Sequence, residues 1–326
     1  MKKISSVIFS TVIAVVVSGN ASSNEMTSTG VITSDKSSWA PPSTDKAVAE
    51  NQAKSSEKYK AFKTISVEVI DKVATLTINH PPINLFDLKL IIEMNSAAGQ
   101  LAKDDDVNVV VIQSADPKFF IAHADVNLLL ARGRTTPSAN EPESFFHAMT
   151  EQFRLMPKAT IGKLDGIARG GGLELLAALD MRFCSIENTV VGQPEIALGL
   201  IPGGGGSSRW PRIMGTARAL ELNLSGLAFD CTLAERYGMV NRGMPADELD
   251  GFVDTLASRI ASYSPASVQN IKNIAYDERP IKEVLRTEAK AITASARSKF
   301  TLEAMQEFVD NDSQSRANEL RAISAE

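Results

Sequence analysis

The chain has 326 residues, of which 44% are hydrophobic, 22% charged and 6% aromatic, a globular profile with no collagen-like or low-complexity character. Its net charge of −5 provides no general electrostatic attraction to DNA, RNA or anionic lipid, so nucleic acid is not an expected partner. Two cysteines, Cys184 and Cys231, are too few for a disulfide framework and lack the CxxC spacing of a metal site.

The chain opens with Lys2 and Lys3, then a mostly apolar run of 14 residues from Ile4 to Val17, then the small residues of Gly19-Asn20-Ala21. A positive start, an apolar run short of the ~20 residues of a membrane span, and a small-residue site together predict a secretory signal peptide over residues 1–21. Export then places the mature chain, starting near Ser22, in the periplasm or medium, with 32 basic against 39 acidic residues. A start at Met26 would instead give a cytoplasmic protein. Beyond the leader no segment is apolar for long enough to span a membrane. Residues 22–60 are Ser/Thr-rich, carry Pro41 and Pro42 and hold only scattered apolar residues. Such a segment buries too little surface to offset its ordering entropy, and a flexible polar tether is expected.

A compact core is expected over 61–245. Ile65 to Ile70 and Val73 to Asn79 alternate with period two around a turn at Asp71-Lys72, as a hairpin does. Leu85 to Leu101 has helical apolar spacing, and Val107 to Gln113 is a β-branched run suited to a buried strand. A helix follows at Phe145 to Met156, strands at Thr160 to Asp165 and Met181 to Ser185, and between them a glycine-rich turn enters a helix over Gly170 to Leu179. Strand pairs alternating with helices predict an α/β architecture. From residue 246 to 326 the pattern becomes four amphipathic helical stretches, broken near Pro265 and Pro280.

Seven of the 20 glycines fall in two clusters, Gly170-Gly171-Gly172 and Gly203 to Gly206. The first opens a helix, whose free N–H groups can hold an anion or a developing negative charge, and the same run also suits close helix–sheet packing. The second lacks the Gly-Lys-Ser/Thr of a phosphate loop, and no GxSxG elbow is present. Glu174 and Glu195 lie beside these clusters, and two carboxylates near glycine-rich backbone suit acid/base chemistry at an activated carbonyl. The histidines at 80, 123 and 147 are isolated and have no metal-ligand spacing, so no metal is expected. Cys184 in a core strand and Cys231 in a loop before a helix are expected to remain two free thiols.

The segments VATLTINHPPINLFD, FFIAHADVNLL, IARGGGLELLAALDMRF, VVGQPEIALGLIPGGGG and AERYGMVNR, in this order, resemble the crotonase (enoyl-CoA hydratase/isomerase) superfamily over about residues 65–325. The resemblance implies a spiral of ββα units followed by a helical domain that packs across subunits in trimers or dimers of trimers. It implies a backbone oxyanion hole at Ala124 and Gly171 that polarises an acyl-CoA thioester carbonyl, with Ala122, His123, Asp125, Gly170 and Gly172 as neighbouring substrate-binding positions. Coenzyme A enters as part of the substrate, and no cofactor is implied. Glu174 matches the water-activating glutamate and Glu195 the one that moves the Cα proton. Hydration of a 2-enoyl thioester is therefore the leading expectation. A Δ3,Δ2-enoyl-CoA isomerase, which needs one base, and a non-catalytic exported binding protein are the alternatives. Two positions depart from the family pattern: His123 stands where a glycine normally precedes the oxyanion residue, and Arg169 replaces an apolar residue before the glycine triplet.

Overall fold

The structure, a computed structural model, describes residues 58–134, 144–263, 265–276, 293, 296–297 and 299–324. The expected leader, nearly all of the tether and the expected break at Pro280 lie outside them.

The period-two alternation of the first two strands becomes the hairpin β1 (Ile65–Ile70) and β2 (Val73–Ile78), which pair antiparallel from Ile65↔Ile78 to Ile70↔Val73. Asp71 and Lys72 between them take φ of 47° and 66°, the positive values that a two-residue turn needs to match the strand twist. Helix α1 (Leu88–Ala102) is capped by Asp87, whose carboxylate accepts the Leu90 N–H, and buries Leu90, Ile91, Met94, Ala97, Ala98 and Leu101 along one stripe. Strand β3 (Val109–Ser114) then joins β2 in parallel. Its Val110 and Ile112 enter the main core, whereas Val109 and Val111 face a second apolar cluster.

The remaining strands divide between two sheets. Strands β5 (Ala159–Leu164), β7 (Met181–Ser185) and β10 (Arg242–Met244) extend the first into the order β1-β2-β3-β5-β7-β10. The three-residue strands β4 (Phe119–Ile121), β6 (Ile167–Arg169), β8 (Val190–Gly192) and β9 (Ala228–Asp230) form a second sheet in that order, parallel except for the β8–β9 pair. Helices α2 (Val126–Gly133), α3 (Phe145–Leu155), α4 (Gly171–Ala177), α5 (Gly206–Met214), α6 (Thr216–Ser225) and α7 (Cys231–Tyr237) connect them. The α/β expectation holds.

Among the described residues four helices follow: α8 (Ala246–Ala261), α9 (Pro265–Ala275), α10 (Lys299–Asp310) and α11 (Arg316–Ser324). Helix α8 places Leu249, Val253, Ala257 and Ala261 against Val109, Val111, Ala159, Ile161 and Phe183 of its own sheet. Helix α10 packs Met305 and Phe308 with Val126 and Leu130 of α2. Among the described residues no helix is long and apolar enough to cross a membrane.

Two expectations change. Tyr59, placed by sequence in the tether, is buried, with its hydroxyl donating to Asp104 at 2.6 Å and Lys58 paired to the same carboxylate at 2.6 Å. The compact core therefore takes in Lys58 and Tyr59, ahead of the expected boundary at residue 61. The two cysteines are joined as a Cys184–Cys231 disulfide rather than remaining free, with Cα atoms 6.0 Å apart. Strand β9, too short to register as a sequence pattern, pairs with β8 and delivers Cys231 to the first turn of α7 beside β7. Gly243 stands opposite Cys184 in the β7–β10 ladder, and a β-carbon there would lie 2.5 Å from the Cys231 sulfur.

The bridge closes a separation of 47 residues, and the chain-entropy account of cross-linking gives about 4 kcal/mol for a loop of that size. A Cys184→Ala/Cys231→Ala variant should lose roughly 2–4 kcal/mol in urea unfolding under oxidising conditions, and an unchanged midpoint would deny the bond a structural role. Burial pushes the Asp104 carboxyl up, but hydrogen bonds from Lys58, Tyr59 and the Asp106 amide outweigh it and hold the group below its usual range. Its contribution is thus complete above its unfolded pKa of about 3.9 and fades as pH falls through the lower folded value. The stability difference between wild type and Asp104→Asn should shrink between pH 7 and pH 3 in urea titrations.

Candidate active site

Three segments leave neighbouring parallel strands in one direction. Phe119 and Ile121 of β4 align with Ile167 and Ala168 of β6, and Arg169 of β6 aligns with Gly192 of β8. The residues that follow, Ala122 to Asp125, Gly170 to Glu174 and Gln193 to Glu195, are thereby gathered at the carboxyl ends of the strands. In parallel sheets this is where ligands bind.

Ala124 is fixed by pairing with Phe86, whose N–H donates to the His123 carbonyl at 2.9 Å and whose own carbonyl accepts from Asp125 at 3.0 Å. Gly171 opens α4, where helix geometry leaves the first N–H groups without intrahelical acceptors. A β-carbon on Gly171 would lie 3.6 Å from the Ala124 nitrogen, so the two amides are neighbours. Gly170 takes φ of +49°, and a β-carbon there would come within 2.8 Å of the Glu195 carboxylate. Glycine at this position lets Glu195 approach the mouth of α4.

Glu174, in the first turn of α4, is 4% exposed, and its Oε1 accepts the N–H groups of Gly204 at 2.7 Å and Gly206 at 2.9 Å. The second glycine cluster therefore cradles a carboxylate of this chain, and a β-carbon on Gly204 would strike it. Helix α3 grips the cradle from behind. His147 Nε2 donates to the Gly203 carbonyl at 2.8 Å, and Arg209 joins the Gly204 carbonyl to Glu151 at 3.1 and 2.8 Å. Glu151 also pairs with Arg154 at 2.7 Å. Burial raises its pKa, but the hydrogen bond from Arg154 and the charges of Arg209 and Arg154 prevail and hold it below its ordinary value.

Glu195 sits on a 3₁₀ turn over Pro194–Leu198 directly after β8. The Gln193 amide fits its neighbours with its nitrogen towards that carboxylate, 3.1 Å away, and its oxygen accepting from the Trp210 indole at 3.2 Å.

Two cavities of about 210 Å³ each adjoin at Ala124, Leu129 and Glu195. One reaches Gly171, Glu174 and Gly204 and is walled by Phe86 and Phe146, which meet edge to face at 5.2 Å. The other runs past Leu198, Leu200 and Phe308 to His123, Arg169 and Glu319. Of the residues singled out by sequence, Ala124, Gly171, Glu174 and Glu195 meet around the first cavity, Asp125 lies on its rim, and His123 lines the second. Ala122, Gly170 and Gly172 line neither. Ala122 is buried in a core cluster with Ile83, Phe119 and Ile167, and a β-carbon on Gly172 would lie 2.7 Å from Ile121, so Gly172 lets α4 pack closely on β4.

Sequence reading missed His147, Glu151 and Arg209 behind the cradle, and Glu319. The Glu151–Arg154 spacing of three was a visible helix-pair signal. Nothing local connects Glu319 to residues 150 and 196 positions away.

Residues 68–315 match the family model for enoyl-CoA hydratase/isomerase. The chain is 34% identical over 271 residues to a Dictyostelium discoideum protein named "Probable enoyl-CoA hydratase, mitochondrial", covering 81% of this chain and 95% of that one. It is 30% identical to the crotonyl-CoA hydratase of Syntrophomonas wolfei, over 77% of this chain and 96% of that one. Among solved structures, an enoyl-CoA hydratase from Bacillus anthracis aligns with a TM-score of 0.61 and 29% identity, over 76% of this chain and 97% of its own. The family model spans strands β1 to β10, the helices between them and α8 to α10, and the relatives match this chain over nearly their whole length: the chain belongs to the enoyl-CoA hydratase/isomerase family.

Proposed function

We propose that this enzyme hydrates a 2-enoyl thioester of coenzyme A. One observation carries the reading: Glu174 and Glu195 face a single cavity beside the neighbouring amides of Ala124 and Gly171. In this reading the thioester oxygen accepts both amide N–H groups. As the water oxygen bonds to Cβ, the alkene electron pair moves through Cα to that oxygen, and the amides stabilise the resulting enolate. A single donor of this kind is worth ~3–4 kcal/mol in other enzymes. Glu174, oriented by Gly204 and Gly206, takes a proton from the water, and Cα receives one from Glu195. The proton left on Glu174 returns to Glu195 through water, which restores the starting state. An isomerase would need only one of these carboxylates, and the presence of both on one cavity favours hydration.

We also place the protein outside the cytoplasm, as a self-assembled trimer or dimer of trimers. The Cys184–Cys231 bridge supports the location, because disulfides persist in oxidising compartments. Leu220 and Leu224, one turn apart on α6, and Leu227 just beyond are 48%, 64% and 53% exposed, and an apolar patch of this kind supports association.

Purified protein should consume the conjugated absorbance of short-chain enoyl-CoA esters. Glu174→Gln and Glu195→Gln should each lower turnover at least ~100-fold with the fold intact by circular dichroism, and near-normal turnover in either would remove that residue from the mechanism. Gly171→Pro, which lacks the N–H, should abolish activity. Activity on 3-enoyl but not 2-enoyl esters would identify the isomerase instead, and inertness towards all of them a binding protein. For location and assembly, mass and N-terminal sequence from fractionated cells should give an oxidised chain beginning near Ser22, with light scattering at three or six chains. A cytosolic chain starting at Met1 or Met26, or a monomer, would overturn that part.

A further inference from the structure

Both departures from the family pattern, His123 and Arg169, converge on one carboxylate. Glu319 of α11 is 1% exposed, with one oxygen on His123 Nε2 and the other on the Arg169 guanidinium. The guanidinium reaches Glu319 through Nη2, and its buried Nε finds no acceptor among the described residues. The His123 and Arg169 side chains are 9% and 8% exposed, so the cluster is nearly dry.

Its place in the backbone is what gives it a function. His123 immediately precedes Ala124, and its Nδ1–H donates to the Ala124 carbonyl at 2.8 Å. Arg169 ends β6 and stands two residues before Gly171. Glu319 therefore bridges the two strand exits that present the amides of the proposed oxyanion hole. We infer that Glu319 is the positioning residue of that hole: through His123 and Arg169 it sets the spacing of the Ala124 and Gly171 N–H groups, without touching the reacting atoms. The inference rests on the hydratase reading of the same site. A buried, doubly bridged carboxylate suits this role, because such clusters fix geometry more reliably than they add stability. Fixing donors to a fraction of an ångström is what oxyanion stabilisation requires, and small misplacements cost rate more than binding.

The test separates positioning from stability. Glu319→Gln keeps the shape and removes the charge. It should lower kcat roughly 10- to 100-fold while KM stays within about threefold, the signature of an interaction made in the transition state. A direct readout is the red shift of a bound push–pull aromatic enoyl-CoA, 4-(dimethylamino)cinnamoyl-CoA, whose absorbance follows polarisation of the thioester carbonyl. Glu319→Gln should lose more than half of the wild-type shift.

Arg316→Ala serves as the control. Arg316 ties the same helix to Asp116 at 2.6 Å and to the Pro82 carbonyl at 2.8 Å, away from the amides, so its loss should leave kcat and shift unchanged. The double variant Arg169→Leu/Glu319→Leu leaves no buried charge unpaired and guards against simple unfolding, and its kcat and shift should remain low. Wild-type kcat and shift in Glu319→Gln, their recovery in the double variant, or equal losses in Arg316→Ala would each overturn the inference. A wild-type protein that neither hydrates enoyl-CoA nor shifts the probe would instead overturn the hydratase reading beneath it.

Discussion

The parallel alignment of three strands only three residues long governs the rest of the molecule. Strands β4, β6 and β8 have too few ladder bonds to persist alone, and they are held by what packs on them. Phe119, Ile121, Ile167, Ala168 and Val191 are all buried to 3% or less. Because adjacent parallel strands end on the same side, their exits have no choice but to meet there. The amides of Ala124 and Gly171 and the Glu195 turn are thus neighbours by register, although up to 71 positions separate them along the chain.

A second layer of structure holds those exits still. Glu174 and its glycine cradle form a carboxylate–amide contact inside the fold, and the cradle is gripped from α3 by His147 and the Arg209–Glu151 pair. Removing one partner of such a buried pair costs about 3–5 kcal/mol in other proteins because the remaining charge is stranded. The ion pairs here maintain the shape of a loop whose glycines cannot shape themselves. The flexibility that lets Gly203 to Gly206 wrap a carboxylate would otherwise leave the loop in many conformations.

Much of this was legible in the amino-acid sequence, and unevenly so. The hairpin at Asp71-Lys72 and the stripe of α1 follow from periodicity, because each is long enough for a period to show. The glutamates and the glycine clusters were readable because their order along the chain is distinctive. The second sheet was not: a strand of three residues contains no period, and β9 in particular passed for loop. The disulfide was hidden for the same reason, since only β9 reveals that Cys231 returns to Cys184. The His123–Glu319–Arg169 cluster depends on a helix returning across almost 200 residues, and contact at that range leaves no local trace. Tyr59 shows the converse error, a single aromatic anchor inside a segment whose composition otherwise reads as unstructured.

The Glu174 cradle has a consequence for the handedness of the chemistry. With Oε1 accepting from the amides of Gly204 and Gly206, the carboxylate on the cavity wall cannot turn about its own axis. A flat alkene whose thioester oxygen is pinned at the opposite wall would then meet the oriented water on one face only. Under the proposed hydration the product would be a single mirror-image form, selected by backbone N–H groups that hold the Glu174 carboxylate on one side and the thioester oxygen on the other.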